Sequence, residues 1–260
     1  MIFYFLNQTV EKFIHQTGVI FFVNIKYNVC IMDLLRKERF SYNIGEFYKN
    51  SLKKFLNGAM LERNNYKFYL LAGFCYKKMN NFEKAVIYFT KAFQRNENSF
   101  EAYYECGLCA LKMKETCLAL NCFINAIKLN PNHPYAILNL AFAHELCDEP
   151  DMAELIYNRL NETHPEFLEG HIKKAEFLMS FERFDEVISE LTEVISRNLS
   201  NGRIYELLGN CYLKIGEVSH AQRALRKAAV LTSNPDTYRS AKKSLKQISL
   251  SNNTNKLKLC

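Results

Sequence analysis

The sequence predicts an all-α protein, an α-α superhelix of stacked antiparallel helix pairs. Three ladders of residues at a 34-residue spacing predict it. Gly73, Gly107, Ala141, Ala175 and Gly209 form the first; Ala85, Ala119, Ala153, Val187 and Ala221 the second; Phe89, Phe123, Tyr157, Leu191 and Leu225 the third. A fixed period of this kind is the signature of a repeat array. Within each period the apolar positions recur at helical spacing rather than at the alternation of a strand. Paired helices approach closely only where one presents a hydrogen or a methyl group. Gly73 and Ala85 therefore mark points of contact within a pair, and Tyr69, Tyr76 and Phe89 fill the space between pairs. A single pair cannot bury its own apolar face, so the array is one domain made by stacking.

The units run over 66–99, 100–133, 134–167, 168–201 and 202–235. Asn80-Asn81, Asp148-Glu149-Pro150 and Gly216-Glu217 mark turns inside units; Asn130-Pro131 and His164-Pro165 mark breaks between them. Pro150 suits a first helical position, where its missing N–H is no loss. The first unit carries Tyr69, Ala72-Gly73, Tyr76, Ala85, Phe89 and Ala92; the second carries Tyr103, Cys106-Gly107, Ala119, Phe123, Ala126 and Pro131. This order resembles the tetratricopeptide repeat (TPR), which has a 34-residue unit with an aromatic, Leu-Gly, Tyr, Ala, Phe and Pro. The resemblance implies a TPR solenoid whose first helices line a concave groove.

The ends depart from the period. One step back from Gly73 falls on Arg39, yet Tyr48, Ser51, Phe55 and Gly58 follow the second-helix pattern, so 32–65 reads as a degenerate TPR-like capping helix pair. After Asn234-Pro235, Asp236 is read as the N-cap of a C-terminal cap helix over 236–249. Its apolar stripe is Tyr238, Ala241, Leu245 and Ile248, with Arg239, Lys242, Lys243 and Lys246 around it. Residues 250–260 read as a flexible tail. The segment 1–31 has apolar runs too short for a membrane span, and it has neither the basic start nor the cleavage site of a secretory signal. Either Met32 is the initiator and 1–31 is not part of the functional protein, or 1–31 supplies a docked helix built on Val10, Phe13, Ile14 and Thr17.

The net charge of +7 is unevenly spread. Acidic residues dominate from Glu145 to Glu193, and basic ones beyond Arg223. Such a pattern fits a solvated surface with a basic cap, or one that steers a partner of complementary charge. RNA binding through the basic C-terminal cap is a weaker reading, because no RNA-recognition motif is present and the acidic middle repels phosphates; nucleic acid is not the expected partner. Nine cysteines include Cys106-x2-Cys109, but Cys106 occupies the Leu position of its unit, while Cys109, Cys117 and Cys122 fall where helix neighbours pack. The spacing is unlike a zinc knuckle. The odd cysteine count, the family and the start of the chain favour a reducing compartment, the cytoplasm, with the nucleus also compatible.

No phosphate-binding glycine loop or nucleophile elbow occurs, and Asp148 stands where His144-Glu145 would need a second metal-binding His. The six histidines show no ligand spacing. The sequence thus predicts no catalytic, metal or cofactor site and a non-enzymatic protein. His144 and His171 fall at interior aromatic positions. Lys174 takes a Leu position, which predicts either a snorkelling stem or a softer joint at 168–201.

Groove positions implied by the resemblance hold Leu70, Leu71 and Phe74, then Tyr104 and Leu108, then Tyr135, Leu138, Asn139 and Phe142, then Ile172, Lys173, Glu176 and Met179. Leu70, Phe74, Tyr104, Leu108, Leu138 and Phe142 are the expected contact area, with Asn139 pinning a peptide group and Lys173 beside it. The family's carboxylate clamp would require basic and amide groups at Tyr104, Leu108, Asn139, Glu169 and Lys173. Only Asn139 and Lys173 fit, and Glu169 would repel a carboxylate. The expected function is a protein–protein adaptor or scaffold holding a peptide or helix of another protein, compatible with a larger complex and with no small-molecule substrate. The alternative is a secretion-type TPR chaperone holding an apolar client segment, suggested by Gly209-Asn210-Cys211-Tyr212 and the cap.

Overall fold

The computed structural model describes the backbone of residues 41–257 and side chains within 45–250. The readings of 1–31, and of the first helix of the pair at 32–65, lie outside the described residues. Twelve helices and no strand occupy the described chain. They are α1 (Ser41–Leu61), α2 (Tyr66–Lys78), α3 (Phe82–Phe93), α4 (Phe100–Met113), α5 (Thr116–Leu129) and α6 (Pro134–Leu146). After them come α7 (Pro150–Thr163), α8 (Leu168–Ser180), α9 (Phe184–Ser196), α10 (Gly202–Lys214), α11 (Val218–Leu231) and α12 (Pro235–Leu257).

Local chemistry sets where these helices begin. Asn65, Asn81, Ser99 and Asn201 each cap a helix, their side chains accepting a backbone N–H of the first turn. His133 does the same through Nδ1, at 3.1 Å from the Ala136 N–H. Each turn inside a unit ends on a left-handed residue: Asn80, Lys114, Asp148, Glu182 and Gly216, with φ between 57° and 86°. They form another ladder at 34-residue spacing, which the sequence disguises by using Lys and Glu where Gly or Asn is favoured.

Small residues then set how closely each pair packs. A Cβ on Gly73 would meet the Phe89 ring at 2.6 Å, one on Gly107 the Phe123 ring at 2.7 Å, and one on Gly209 the Leu225 side chain at 2.7 Å. The three Gly/Ala pairs, α2–α3, α4–α5 and α10–α11, bring their backbones closest. The Ala141/Ala153 pair is looser, and the Ala175/Val187 pair α8–α9 is the loosest of the five. Between units, ring stacking takes over, as with Phe93 on Tyr103 at 4.4 Å. From α6 to α12 the buried side chains form one continuous core.

The cap helix corrects two readings. Asn234, not Asp236, is the capping residue: its Oδ1 accepts from the N–H of Asp236 at 2.8 Å and of Thr237 at 3.4 Å, with Pro235 opening the helix. The helix also runs past 249 to Leu257, since no Gly or Pro interrupts Ser249–Leu257. Ala241 and Ile248 are buried as the stripe predicts, whereas Tyr238 is exposed beneath the Lys242 ammonium. Among the described residues no helix is long and apolar enough to cross a membrane.

Candidate interaction groove

Consecutive first helices touch one another, α4 with α6, α6 with α8 and α8 with α10, and α10 then touches α12. Elements on the inside of a curve are drawn together, so these helices form the concave face. Their sequence divides that face into an aromatic stretch over α4 and α6 and a charged stretch over α8, α10 and α12.

In the aromatic stretch, Phe100 stacks on Tyr104 at 5.6 Å, His133 lies 4.7 Å from Phe100 and 5.2 Å from Tyr104, and Tyr135 meets the edge of Phe167 at 4.9 Å. The geometry fixes the shelf but leaves its upper surface open: Tyr135 is 50% exposed and Phe142 37%. Asn139 donates to the Tyr135 carbonyl at 2.7 Å and to the Tyr104 hydroxyl at 3.4 Å. Burial pushes the Tyr104 phenol up to about 12, so it stays a neutral hydroxyl. Burial also lowers the His133 imidazole below its ordinary value, which keeps Nδ1 unprotonated for its capping role.

The predicted contact residues divide accordingly. Tyr104, Asn139 and Phe142 belong to the shelf. Leu138 is in the core, 7% exposed, because its side chain faces the hairpin interior, so it offers a partner little area. Leu70, Phe74 and Leu108 are half-buried and spend most of their surface on packing; Phe74 lies edge-on to Phe89 at 5.4 Å. Asn139, expected to hold a peptide, already spends its amide N–H groups on Tyr135 and Tyr104. Phe100, His133 and Phe167 escaped the sequence reading because they lie at the junctions between units rather than at the family's groove positions.

The charged stretch is a chain of ion pairs. Lys173 reaches Glu176 at 2.8 Å, and Arg203 bridges Glu176 at 2.7 Å and Glu206 at 2.8 Å. Burial raises the Glu176 carboxyl, but hydrogen bonds from Arg203 and Lys173 outweigh it and hold the group below the usual carboxylate range. Glu145 goes the other way, raised by burial despite the Tyr157 hydroxyl donating to it at 3.1 Å. Arg203 and Glu206 could have been found by carrying the groove positions into the fifth unit.

On the other side of α8 lies a second polar cluster. Glu190 accepts from His171 Nδ1 at 2.7 Å, from Asn161 at 3.0 Å and from the Lys174 ammonium. His171 Nε2 lies 3.1 Å from the Pro165 carbonyl, so this interior histidine has both ring nitrogens occupied. Lys174 does not snorkel into water; it is held inside by Glu190. Burial raises Glu190, but the hydrogen bonds from His171 and Lys174 dominate and hold it at about 2. His144 is likewise engaged, with Glu149 at 2.6 Å. Cys106, Cys109 and Cys122 are buried, while Cys117 is exposed, contrary to its predicted packing role, because it falls in the first turn of α5 on the solvent side. Among the described residues no three His, Cys, Asp or Glu side chains converge as a metal site.

Residues 66–99 match the family model of the tetratricopeptide repeat. Among solved structures, YrrB, described as a TPR protein with an unusual peptide-binding site, is 18% identical with a TM-score of 0.54, covering 73% of this chain and 97% of that one. A tetratricopeptide repeat protein from Parabacteroides merdae is 19% identical with a TM-score of 0.54, covering 84% and 89%. Yeast Tom70 is 17% identical with a TM-score of 0.59, covering 78% of this chain and 43% of its own. At these identities the likeness is one of fold. No curated protein matches the chain in sequence.

Proposed function

We propose that this chain, which carries a tetratricopeptide repeat at 66–99 and folds as such arrays do, is a non-enzymatic adaptor that holds a segment of another protein in its concave groove. Proteins of the family bind other proteins and are generally not enzymes. The observation that carries the proposal is the open aromatic shelf, on which Tyr135 and Phe142 leave half and over a third of their surface in water. Exposed rings of this size on a rigid support mark interaction surfaces. The ring contacts of Tyr135 with His133 and Phe167 hold that part of the shelf in place, so little ordering cost remains for binding there. The buried thiols of α4 and α5 suit a reducing compartment, the cytoplasm.

The test is affinity purification from cells with mass spectrometry, comparing the wild type with Tyr135→Asp/Phe142→Asp. Both positions are exposed, so helicity by circular dichroism is expected to survive while specific partners disappear. An unchanged partner list would refute the groove assignment. Charging Leu138 would be a poorer test, since that residue belongs to the core.

A further inference from the structure

We propose that the C-terminal end of the stack is a docking surface for membranes rich in anionic lipid. The inference stands apart from the groove reading, because it concerns other helices. α11 carries Arg223, Arg226 and Lys227 and no acid; α12, up to Leu250, carries Arg239, Lys242, Lys243 and Lys246 against Asp236. The surroundings do not change this excess of six positive charges. Lys214 and Glu217 at the preceding turn cancel, and the N-terminus of each helix offsets its own C-terminus.

These bases are exposed and mostly unspent. Arg239 has Asp236 at 3.7 Å, while Lys227 and Lys242 lie over the rings of Tyr205 and Tyr238. Among the described residues none of the other four has an acid within ion-pair distance. The helical period then gathers them. On α11, Arg223, Arg226, Lys227 and Val230 recur at helical spacing, opposite the buried Ala221, Leu225 and Ala228. On α12, Arg239, Lys243, Lys246 and Leu250 form the stripe opposite the buried Ala241 and Ile248. Apolar side chains share these faces: Val230 is 82% exposed, and Leu231 and Leu250 are exposed by just over half.

That mixture decides which polyanion fits. Nucleic-acid bases stack on open aromatic rings, and the only Phe, Tyr or Trp on the two helices is Tyr238, already beneath Lys242. Exposed aliphatic side chains gain nothing from a phosphate backbone. At a bilayer, the ammonium and guanidinium groups meet anionic headgroups while Val230, Leu231 and the stems of Lys and Arg reach the acyl boundary. Clusters of about four to eight Lys or Arg on a helix surface are what an acidic leaflet attracts. In chain order α7 to α11 lie between the aromatic shelf and α12, so a membrane at this end leaves the groove to its protein partner.

The experiment is co-sedimentation of the purified full chain with phosphatidylcholine vesicles, with and without about 30 mol% phosphatidylserine. It is repeated with Lys243→Glu/Lys246→Glu and with Val230→Ser. All three positions are exposed, and circular dichroism verifies that each variant keeps its helicity. The inference predicts binding to the phosphatidylserine vesicles alone, weakening as salt rises. The double glutamate variant should lose about tenfold or more in partition, and Val230→Ser about threefold or more. No binding, equal binding to both vesicles, or phosphatidylserine binding that ignores either variant would overturn the inference. Retention on poly(U) RNA at a salt concentration that releases the vesicles would also overturn it and assign the surface to nucleic acid.

Discussion

Gly107 lets α4 lie directly against the Phe123 ring of α5, whereas the matching places in α8 and α9 hold Ala175 and Leu191. The step from Gly to Ala, together with Val187 in place of Ala, goes with a looser second hairpin. Polar side chains then occupy the widened interior: His171, Lys174 and Glu190 meet there, and Asn161 joins them from α7. Copies of one motif are thus held together by different forces. Where the contact residue is a glycine, dispersion between helix backbone and ring suffices. In α8–α9, where it is not, charge-assisted hydrogen bonds occupy the space and carry a desolvation cost that their partners offset.

The difference can be broken most forcefully at its polar end. Glu190→Ala leaves an imidazole and an ammonium buried without their acceptor, and we expect a loss of about 3–5 kcal/mol in chemical denaturation, with amide exchange rising first in α8 and α9. The effect has a pH signature. Glu190 titrates at about 2 when folded and at an ordinary 4.5 when unfolded, so its contribution is present above about 4.5 and fades as the pH falls toward 2. Wild type and Glu190→Gln should therefore differ in stability near neutrality and converge in acid. A gap that stays constant with pH would remove the ion pair from the account.

At the close-packed end, Gly107→Ala decides between two signs. Helix propensity alone predicts a gain of about 1 kcal/mol. A Cβ placed 2.7 Å from a fully buried ring predicts a loss of about 1–3 kcal/mol. We expect the loss; a higher melting temperature would show that the hairpin does not depend on the close approach.

The smallest effect belongs to the turn of the loose hairpin. Glu182, at φ 59°, holds a left-handed conformation that glycine adopts without penalty. Glu182→Gly should stabilise by about 0.5–1 kcal/mol, after subtracting the greater freedom of an unfolded glycine. Destabilisation, measured in the same denaturation series, would contradict the left-handed turn.

The repeat, its helical character and the role of the glycine ladder were legible because packing of one helix on another leaves a period in the sequence. The left-handed ladder was half legible: Asn80 and Gly216 advertise it, while Lys114 and Glu182 carry the same conformation by tertiary demand. Groove positions told which helix face is concave, but not how far each side chain is spent on its own neighbours. Leu138 illustrates this, for a leucine reads the same whether it meets solvent or the core. The Glu190 network was half visible as well. His171 and Lys174 broke the pattern of their unit, but their shared acceptor is on the next helix, and sequence distance hides such a contact.

The most direct test of a partner-binding concave face is photo-crosslinking in cells, with p-benzoylphenylalanine placed either at Phe142 on the shelf or at Leu155 on the outer face of α7, which is 61% exposed. The account predicts a discrete protein adduct from position 142 and none from position 155. An adduct from 155 alone, or no adduct from 142, would contradict it.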